Sequence, residues 1–139
     1  MTKSELFYRL HRVDDLDVKL RVVNTKIERL ESCLQGHAIR YDVDKVQTSP
    51  HDPVAEVMAS LDKLLDARKR LQLEMDAAVS DVDTIIAGLS DNKQTLILHY
   101  RYIGCLPWQV IAQRMHFSKR HVFRLHDEAI DLLCKNAKK

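Results

Sequence analysis

The feature that most constrains this chain is a heptad repeat of apolar residues, which occurs in two separate stretches. In the first stretch, seven apolar residues are spaced alternately by three and four positions, as at the a and d sites of a coiled coil. These residues are Val13, Leu16, Leu20, Val23, Ile27, Leu30 and Leu34. No Gly or Pro interrupts residues 5–35, so the pattern predicts one long helix there, which ends at Gly36 through a left-handed C-cap.

The second stretch repeats this spacing over eleven positions. They are Val54, Val57, Leu61, Leu64, Arg68, Leu71, Met75, Ala78, Val82, Ile85 and Leu89. Asp52 followed by Pro53 is typical of a helix start, so a second helix is predicted over 53–89. Arg68 is the one charged member of the repeat, and two interpretations stay open. Either it fixes the register or the number of partners, or its long side chain reaches out of the bundle to solvent.

Residues 36–52, between the two helices, lose the periodicity, and a loop of this length indicates a functional or partly mobile segment. Two heptad helices joined by a loop are expected to fold back as an antiparallel hairpin, to pair with another copy, or to do both. Further apolar residues of the second helix lie beside its main repeat, namely Leu65, Leu73, Val79 and Ile86. This additional apolar width favours a bundle, so we expect a homodimer that forms through the N-terminal helices.

Composition also favours an all-α protein. The chain of 139 residues has only three Gly, three Pro and 6% aromatic residues, which is poor material for a turn-rich β fold. It has no run of about 18 apolar residues and no apolar signal core, so we expect a cytoplasmic protein without a membrane span. Cys33, Cys105 and Cys134 form no CxxC pair and are expected to be reduced thiols.

The net charge of +2 hides an uneven distribution. Residues 90–139 carry nine Lys or Arg against four acidic residues, whereas residues 1–89 carry 13 against 16. A basic C-terminal third beside an acidic remainder is typical of a chain in which one part contacts a polyanion.

The basic third has the pattern of three short helices. The first is predicted over 92–103, where Gly104 ends it, and the second over 107–115. The predicted inward-facing residues are Leu96, Ile97, Tyr100 and Ile103 in the first helix, Trp108, Ile111, Ala112 and Met115 in the second, and Val122, Leu125, Ala129, Leu132 and Leu133 in the third. His116 and Phe117 form the predicted turn between the second and third helices. His116 stands where such turns often carry Gly, but His tolerates a left-handed backbone better than most residues do.

The second and third helices with their turn predict a helix-turn-helix, in which the start of the last helix enters the major groove of DNA. Ser118 is a suitable N-cap for that helix. The predicted DNA-binding residues are Ser118, Lys119, Arg120, His121 and Arg124. Arg can bond guanine through two N–H groups, and Lys can bind phosphate or guanine. The alternative is a three-helix bundle whose basic residues are only a solvated face.

Other kinds of site find little support in the sequence. His116, His121 and His126 recur every five residues and so do not share a helix face, which argues against a metal site. A set made of His37, His51 and Asp52 has no cysteine pair to support it. Neither a P-loop nor a GxSxG motif is present, so no catalytic residue, cofactor or metal is expected.

From Leu89 to Leu133 the chain resembles region 4 of bacterial sigma factors. The resemblance is carried by Arg101-Tyr102-Ile103, Trp108, Ile111-Ala112, Met115, Ser118, Arg120, Val122 and Arg124-Leu125-His126. The chain is also similar to small phage and prophage proteins of Gram-positive bacteria that include ArpU-like late transcriptional regulators, and residues 44–49 look like that group. The resemblance implies promoter-proximal DNA binding and contact with RNA polymerase in a bacterial host cell. The other sigma regions are absent, so a complete sigma factor is not expected.

We therefore expect an all-α protein with two parts. Residues 1–89 are predicted to form a coiled-coil hairpin for oligomerisation, and residues 90–139 a sigma region 4-like helix-turn-helix domain that binds double-stranded DNA. The expected function is that of a sequence-specific phage or prophage transcriptional regulator. Two other functions fit the same features: a small terminase subunit that recognises viral DNA for packaging, and an interaction protein that binds RNA polymerase through its basic part.

Overall fold

The structure, a computed structural model, describes residues 1–41 and 52–137, except for the side chains of residues 37–41. All regular elements in these ranges are helical, which confirms the predicted all-α class. The helices are α1 (Lys3–Tyr41), α2 (Pro53–Ile86), α3 (Asn92–Leu98) with its continuation as a π-helical segment (His99–Ile103), α4 (Trp108–Met115) and α5 (Lys119–Asn136). The two long helices α1 and α2 pack together.

Helix α1 is longer than the sequence pattern predicts. It passes through Gly36 and ends at Tyr41, so the predicted stop at Gly36 is wrong. Gly36 does not adopt the left-handed backbone that a C-cap needs. A Gly inside a helix costs only about 1 kcal/mol, which is too little to end a long helix. The predicted loop 36–52 is therefore wrong over 36–41, and the rest of it up to residue 51, with the segment 44–49, lies outside the described residues.

Helix α2 begins as predicted but ends earlier. The Val54 backbone N–H donates a hydrogen bond of 3.1 Å to Asp52 Oδ1, so Asp52 caps the helix and Pro53 opens it. The helix ends at Ile86 rather than at residue 89. The Gly88 N–H donates to the Ile85 carbonyl, and the next N–H donates to the Ile86 carbonyl. These bonds close a tight turn, which ends the helix three residues before the heptad spacing does.

Both heptad repeats lie on the protected sides of their helices. Every member of the two repeats is at least partly buried, and Arg68 is half-buried within the second one. Of the apolar residues beside the second repeat, Ile86 is buried, Leu65 and Val79 are half-buried, and Leu73 is exposed. The spacing of three and four therefore identified the packed face of each long helix, whereas the additional apolar positions are covered unevenly.

The structure divides into two compact units. The core unit comprises residues 1–17 and 74–139, and the arm unit comprises residues 18–73. The divisions between the two units fall within α1 and α2. The boundary predicted after residue 89 is a division by function, between an oligomerisation part and a DNA-binding part. In the core unit α1 and α2 run antiparallel, because Arg9 pairs with Asp81 and Arg12 lies 3.9 Å from Glu74. The hydrogen bonds from Arg9 also hold the pKa of the Asp81 carboxyl below its usual value.

The buried interior of the core unit is built from most of its helices. Its centre in the C-terminal third consists of Ile97, Ile111, Ala112, Val122 and Leu125. Leu6 and Leu10 of α1 are also fully buried, although the predicted repeat began only at Val13. The first three turns of the chain are thus part of the folded core of the unit that carries the C-terminal helices.

Two predicted core positions are wrong. Leu96 is 41% exposed and Leu132 is 43% exposed. In the first case the buried face of α3 runs through Gln94, Ile97 and Leu98, which leaves Leu96 on the solvent side. In the second case the buried stripe of α5 runs through His126, Ile130 and Leu133, which leaves Leu132 at its border.

Candidate nucleic-acid interface

A sharp bend positions α4 after the π-helical segment. The Leu106 N–H donates a hydrogen bond of 3.0 Å to the Tyr100 carbonyl, which turns the chain back over the helix end. A Cβ on Gly104 would lie 3.0 Å from that same carbonyl oxygen, so a side chain here would require the backbone to shift by a few tenths of an ångström. Cys105 has a left-handed backbone with φ of 54°, and Pro107 then caps α4, which begins at Trp108 rather than at the predicted residue 107.

Helix α4 packs through the stripe that its sequence predicts. Ile111 and Ala112 are buried, and Trp108 and Met115 pack against the same cluster. The guanidinium of Arg101 lies over the Trp108 ring, 4.7 Å from its centroid, and donates a hydrogen bond to the Leu106 carbonyl. Arg101 of the π-helical segment therefore covers the Trp108 ring at the start of α4.

The turn between α4 and α5 has a well-defined hydrogen-bonding pattern. His116 adopts a left-handed backbone with φ of 58° and ψ of 38°, the conformation expected for it from the sequence. Its N–H donates to the Gln113 carbonyl at 3.3 Å, and the Phe117 N–H donates to the Ala112 carbonyl at 3.0 Å. This pair of bonds is a Schellman motif, which satisfies the last carbonyls of α4 and fixes the direction in which the chain leaves it.

Helix α5 begins at the predicted cap. Ser118 Oγ accepts a hydrogen bond of 3.2 Å from the His121 backbone N–H, and Ser118 itself is extended. One face of α5 is buried against α3 and α4. The opposite face of its first turns presents Lys119, Arg120 and Arg124 to solvent. The five predicted site residues therefore lie together at the start of one helix, with Ser118 as the cap rather than as a projecting side chain.

The cations on this surface are not equivalent. Neither the Lys119 side chain nor the Arg120 side chain has a hydrogen-bond or ion-pair partner among residues 1–41 and 52–137. Arg124 does have partners, although its side chain is 66% exposed. Its Nη2 donates a hydrogen bond of 2.9 Å to His121 Nδ1, and its Nε lies 3.9 Å from a carboxylate oxygen of Glu128.

Two further cations contact aromatic residues of the same domain, and sequence reasoning assigned neither to the site. Lys93 Nζ lies 5.6 Å from the centroid of the Phe117 ring, and that ring is also in edge contact with His121. The Arg114 guanidinium lies 5.7 Å from the centroid of the Tyr100 ring. The excess of basic residues in the C-terminal third was the sequence signal that further cations could belong to the site. Spacing alone could not identify Lys93, because it is the packing of α3 that brings this residue beside Phe117 and the start of α5.

A buried polar pair lies behind this surface. His126 is only 6% exposed, its Nε2 lies 2.7 Å from Tyr102 Oη, and its Nδ1 lies 3.4 Å from a carboxylate oxygen of Asp127. Because a carboxylate only accepts, these partners assign the proton of the neutral ring to Nδ1, and the Tyr102 hydroxyl then donates to Nε2. The pair joins α5 to the π-helical segment, and Trp108 of α4 packs edge-on against the His126 ring. It therefore fixes how α5 sits on its neighbours.

Burial shifts the pKa values of both partners in this pair. It lowers the pKa of His126 below its usual 6.5, a shift that the nearby Asp127 carboxylate partly opposes. It raises the pKa of Tyr102 to about 12. Sequence reasoning did not place His126 in the core, although its spacing of four from both Val122 and Ile130 continues the buried stripe.

The potential metal-binding side chains do not form a site in the described part of the chain. No group of three or more His, Cys, Asp and Glu side chains is placed to hold a metal ion there. Of the three residues considered from the sequence as metal ligands, His51 and the side chain of His37 lie outside the described part. The third, Asp52, caps α2. None of the three cysteines forms a disulfide within the described residues. Within residues 1–41 and 52–137, no helix has the length and apolar character needed to cross a membrane.

Comparison with known proteins adds no relative to this description. No family model, curated protein or solved structure matches the chain. The resemblance to sigma region 4 therefore stays a prediction that rests on the residues quoted for it.

Proposed function

We propose that the chain is a sequence-specific DNA-binding transcriptional regulator of a phage or prophage, which reads the major groove with the start of α5. The observation that carries this proposal is the exposed cationic start of α5, held by the Schellman turn and the Ser118 cap on a helix whose other face is buried. A Schellman turn ends many helices, so the turn does not by itself distinguish a helix-turn-helix from a three-helix bundle with solvated charges. It supports the proposal together with the cationic start of α5, because the turn of a helix-turn-helix sets how the second helix projects from the first.

In the proposed complex, the two motif helices have different tasks. The start of α5 enters the groove, where Lys119, Arg120 and Arg124 meet phosphates and base edges. Helix α4 crosses the phosphate backbone, and Arg114 in its last turn is a candidate phosphate contact. Lys93, placed beside Phe117, extends the same cationic surface. The local excess of basic residues then supplies the salt-dependent part of the affinity.

Self-association is the second part of the proposal. Several apolar residues of the arm unit are exposed in the single chain, namely Val18, Val22, Met58 and Leu73. Long helices that leave apolar side chains uncovered favour pairing with another copy. A homodimer of a helix-turn-helix protein reads two half-sites related by two-fold symmetry, so the proposed target is a palindrome.

Selection of bound sequences from random double-stranded DNA with the purified protein tests the proposal. We expect enrichment of one motif with two-fold symmetry. Arg120→Ala and Arg124→Ala are each expected to weaken binding to that motif, by about 1–3 kcal/mol where the side chain contacts a base. Arg70→Ala, which removes an exposed Arg of the arm unit, is the matched control and should leave binding unchanged. Failure to enrich any sequence would contradict the proposal.

Two measurements separate this function from the other candidates. The resemblance adds contact with bacterial RNA polymerase to the proposal, and motif enrichment in the absence of polymerase would exclude a protein that binds polymerase alone. Sedimentation of the purified protein addresses the packaging alternative. A dimer is expected for a regulator, whereas a closed ring of many subunits would favour a small terminase subunit.

A further inference from the structure

We infer that Arg124 is the base-reading residue of this surface and that His121 is its positioning residue, whereas Lys119 and Arg120 bind phosphate without regard to sequence. The inference rests on the proposed DNA-binding function and deepens it. The fold orients the side chain of Arg124 through a hydrogen bond, whereas it leaves the side chains of Lys119 and Arg120 without a partner in the described residues.

Contacts trace the orientation of Arg124 back to the core. Its Nη2 donates to His121 Nδ1 at 2.9 Å. The His121 ring stands edge-on to the Phe117 ring, with centroids 4.6 Å apart and an angle of 75° between the planes. Phe117 in turn packs against the buried cluster around Ile111 and Val122. The position of the guanidinium is therefore linked through two side chains to the helix-turn-helix core.

The His121 contact leaves the guanidinium able to read a base. A guanidinium always donates, so Nδ1 of His121 must accept, and the ring then carries its proton on Nε2. One N–H of Nη2 is used, which leaves the second N–H of Nη2 and both of Nη1. Guanine offers two acceptors in the major groove, N7 and O6, and a guanidinium can meet both at once. An Arg that is already oriented also loses less rotamer freedom on binding.

Lys119 and Arg120 are suited to a different task. Neither side chain has an intramolecular partner within the described part of the chain, and both are exposed in the first turn of α5. Long cationic side chains without a fixed direction adapt to the phosphates of any sequence. Their first-turn N–H groups also point towards the same end of the helix, where negative charge is favoured. They contribute affinity and salt dependence rather than discrimination.

Paired substitutions at His121 separate the hydrogen bond from the ring packing. His121→Phe keeps an aromatic ring against Phe117 but removes the acceptor for Arg124. His121→Asn removes the ring but keeps an acceptor oxygen near the position of Nδ1. Arg124→Lys keeps the charge and removes the planar fork. Lys119→Ala and Arg120→Ala remove the two free cations. The full-length variants are compared on the selected DNA motif and on variants of it with one base pair changed.

The preference for the selected motif over its variants and the dependence of binding on salt are the two readouts. His121→Phe is expected to reduce the preference at one base pair by on the order of twofold to tenfold, the range that one hydrogen bond supplies. Arg124→Lys is expected to reduce it at the same base pair by about tenfold. Both should leave the salt dependence unchanged, and His121→Asn should retain the preference. Lys119→Ala and Arg120→Ala should each lower the salt slope by about one and leave the preference intact.

The outcomes distinguish failure of this inference from failure of the proposed function. A motif that the unmodified protein selects and that His121→Phe still prefers as strongly would overturn the role of His121 alone. A change of base preference in Lys119→Ala or Arg120→Ala would overturn the division between reading and phosphate binding. Absence of any preferred sequence for the unmodified protein would overturn both the inference and the proposed function.

Discussion

The core unit and the arm unit differ in how completely they bury their apolar residues. In the described part of the arm unit, only Ile27 among the apolar residues is buried, and Val18, Val22, Met58 and Leu73 are exposed. All other buried apolar residues belong to the core unit. Two helices touch along one line, so a side chain between them keeps some contact with solvent, whereas a third and fourth helix enclose it.

This difference indicates what each unit requires. The core unit is stabilised by enclosed side chains, including those of residues near the N-terminus of α1 that belong to the same interior as the C-terminal helices. Its stability should therefore be sensitive to the loss of single buried groups. The arm unit has partly exposed seams and uncovered apolar residues, so single truncations there should matter little for folding and more for association.

The largest expected effect on stability comes from Leu10→Ala, a substitution in the core unit at a position far in sequence from the C-terminal helices of that unit. Leu10 is fully buried, so its truncation leaves a cavity and should lower the free energy of unfolding by about 2–5 kcal/mol. Trp108, the only Trp of the chain, lies in the core unit, and its fluorescence during urea unfolding reports this loss.

The same substitution in the arm unit is the control for Leu10→Ala. Leu73 is 64% exposed, so Leu73→Ala should change the Trp108 transition by less than about 0.5 kcal/mol. If Leu10→Ala left the midpoint of the Trp108 transition unchanged, residues 1–17 would not belong to the same cooperative unit as the C-terminal helices.

A smaller effect is expected from lowering the pH. Burial lowers the pKa of His126 in the folded state, so the unfolded chain takes up a proton first as the pH falls below about 6.5. The stability that the neutral ring supplies is complete above this pH and is lost below it, with a slope of at most about 1.4 kcal/mol per pH unit. Urea unfolding between about pH 7.5 and pH 5.5 measures this slope.

His126→Gln provides the comparison for the pH series, because Gln does not titrate but still offers an acceptor to Tyr102. The slope of stability against pH should be smaller in this variant. Since the other histidines remain, an equal slope in both proteins would assign the effect to them and not to the buried pair.

Features that depend on neighbours in the chain could be predicted from the sequence. The caps at Asp52 and Ser118 involve side chains that bond backbone groups two or three residues away, and both are confirmed. The left-handed backbone of His116 is also a local feature, because the turn around it is closed by hydrogen bonds between residues three and five positions apart. The predicted DNA-binding residues lie together because they are consecutive on one helix.

Features that depend on distant partners could not be predicted in this way. Gly36 looks like a helix stop, but a single Gly does not outweigh the packing of a long helix. Leu6 and Leu10 lie seven and three residues before Val13, which continues a helical stripe, but the strict alternation of three and four breaks there, so the predicted repeat began at Val13. Their complete burial depends on a core that is completed by the far end of the chain, which spacing does not specify. The hydrogen bond from Arg124 to His121 depends on how the His121 ring packs against Phe117, which spacing alone does not specify.

The smallest effect on the core unit, and the sharpest test of the arm unit, is expected from Val22→Glu. Val22 is an exposed apolar residue of the arm, so the new charge should be tolerated in the single chain and the Trp108 transition should shift by less than about 0.5 kcal/mol. If a second copy covers Val22, the charge becomes buried without a partner, and the dissociation constant of the dimer should rise by at least about tenfold. Asn24→Glu adds the same charge at an exposed polar position nearby and should leave association unchanged. Sedimentation over a range of concentrations measures both variants, and a monomeric unmodified protein throughout that range would exclude the proposed dimer.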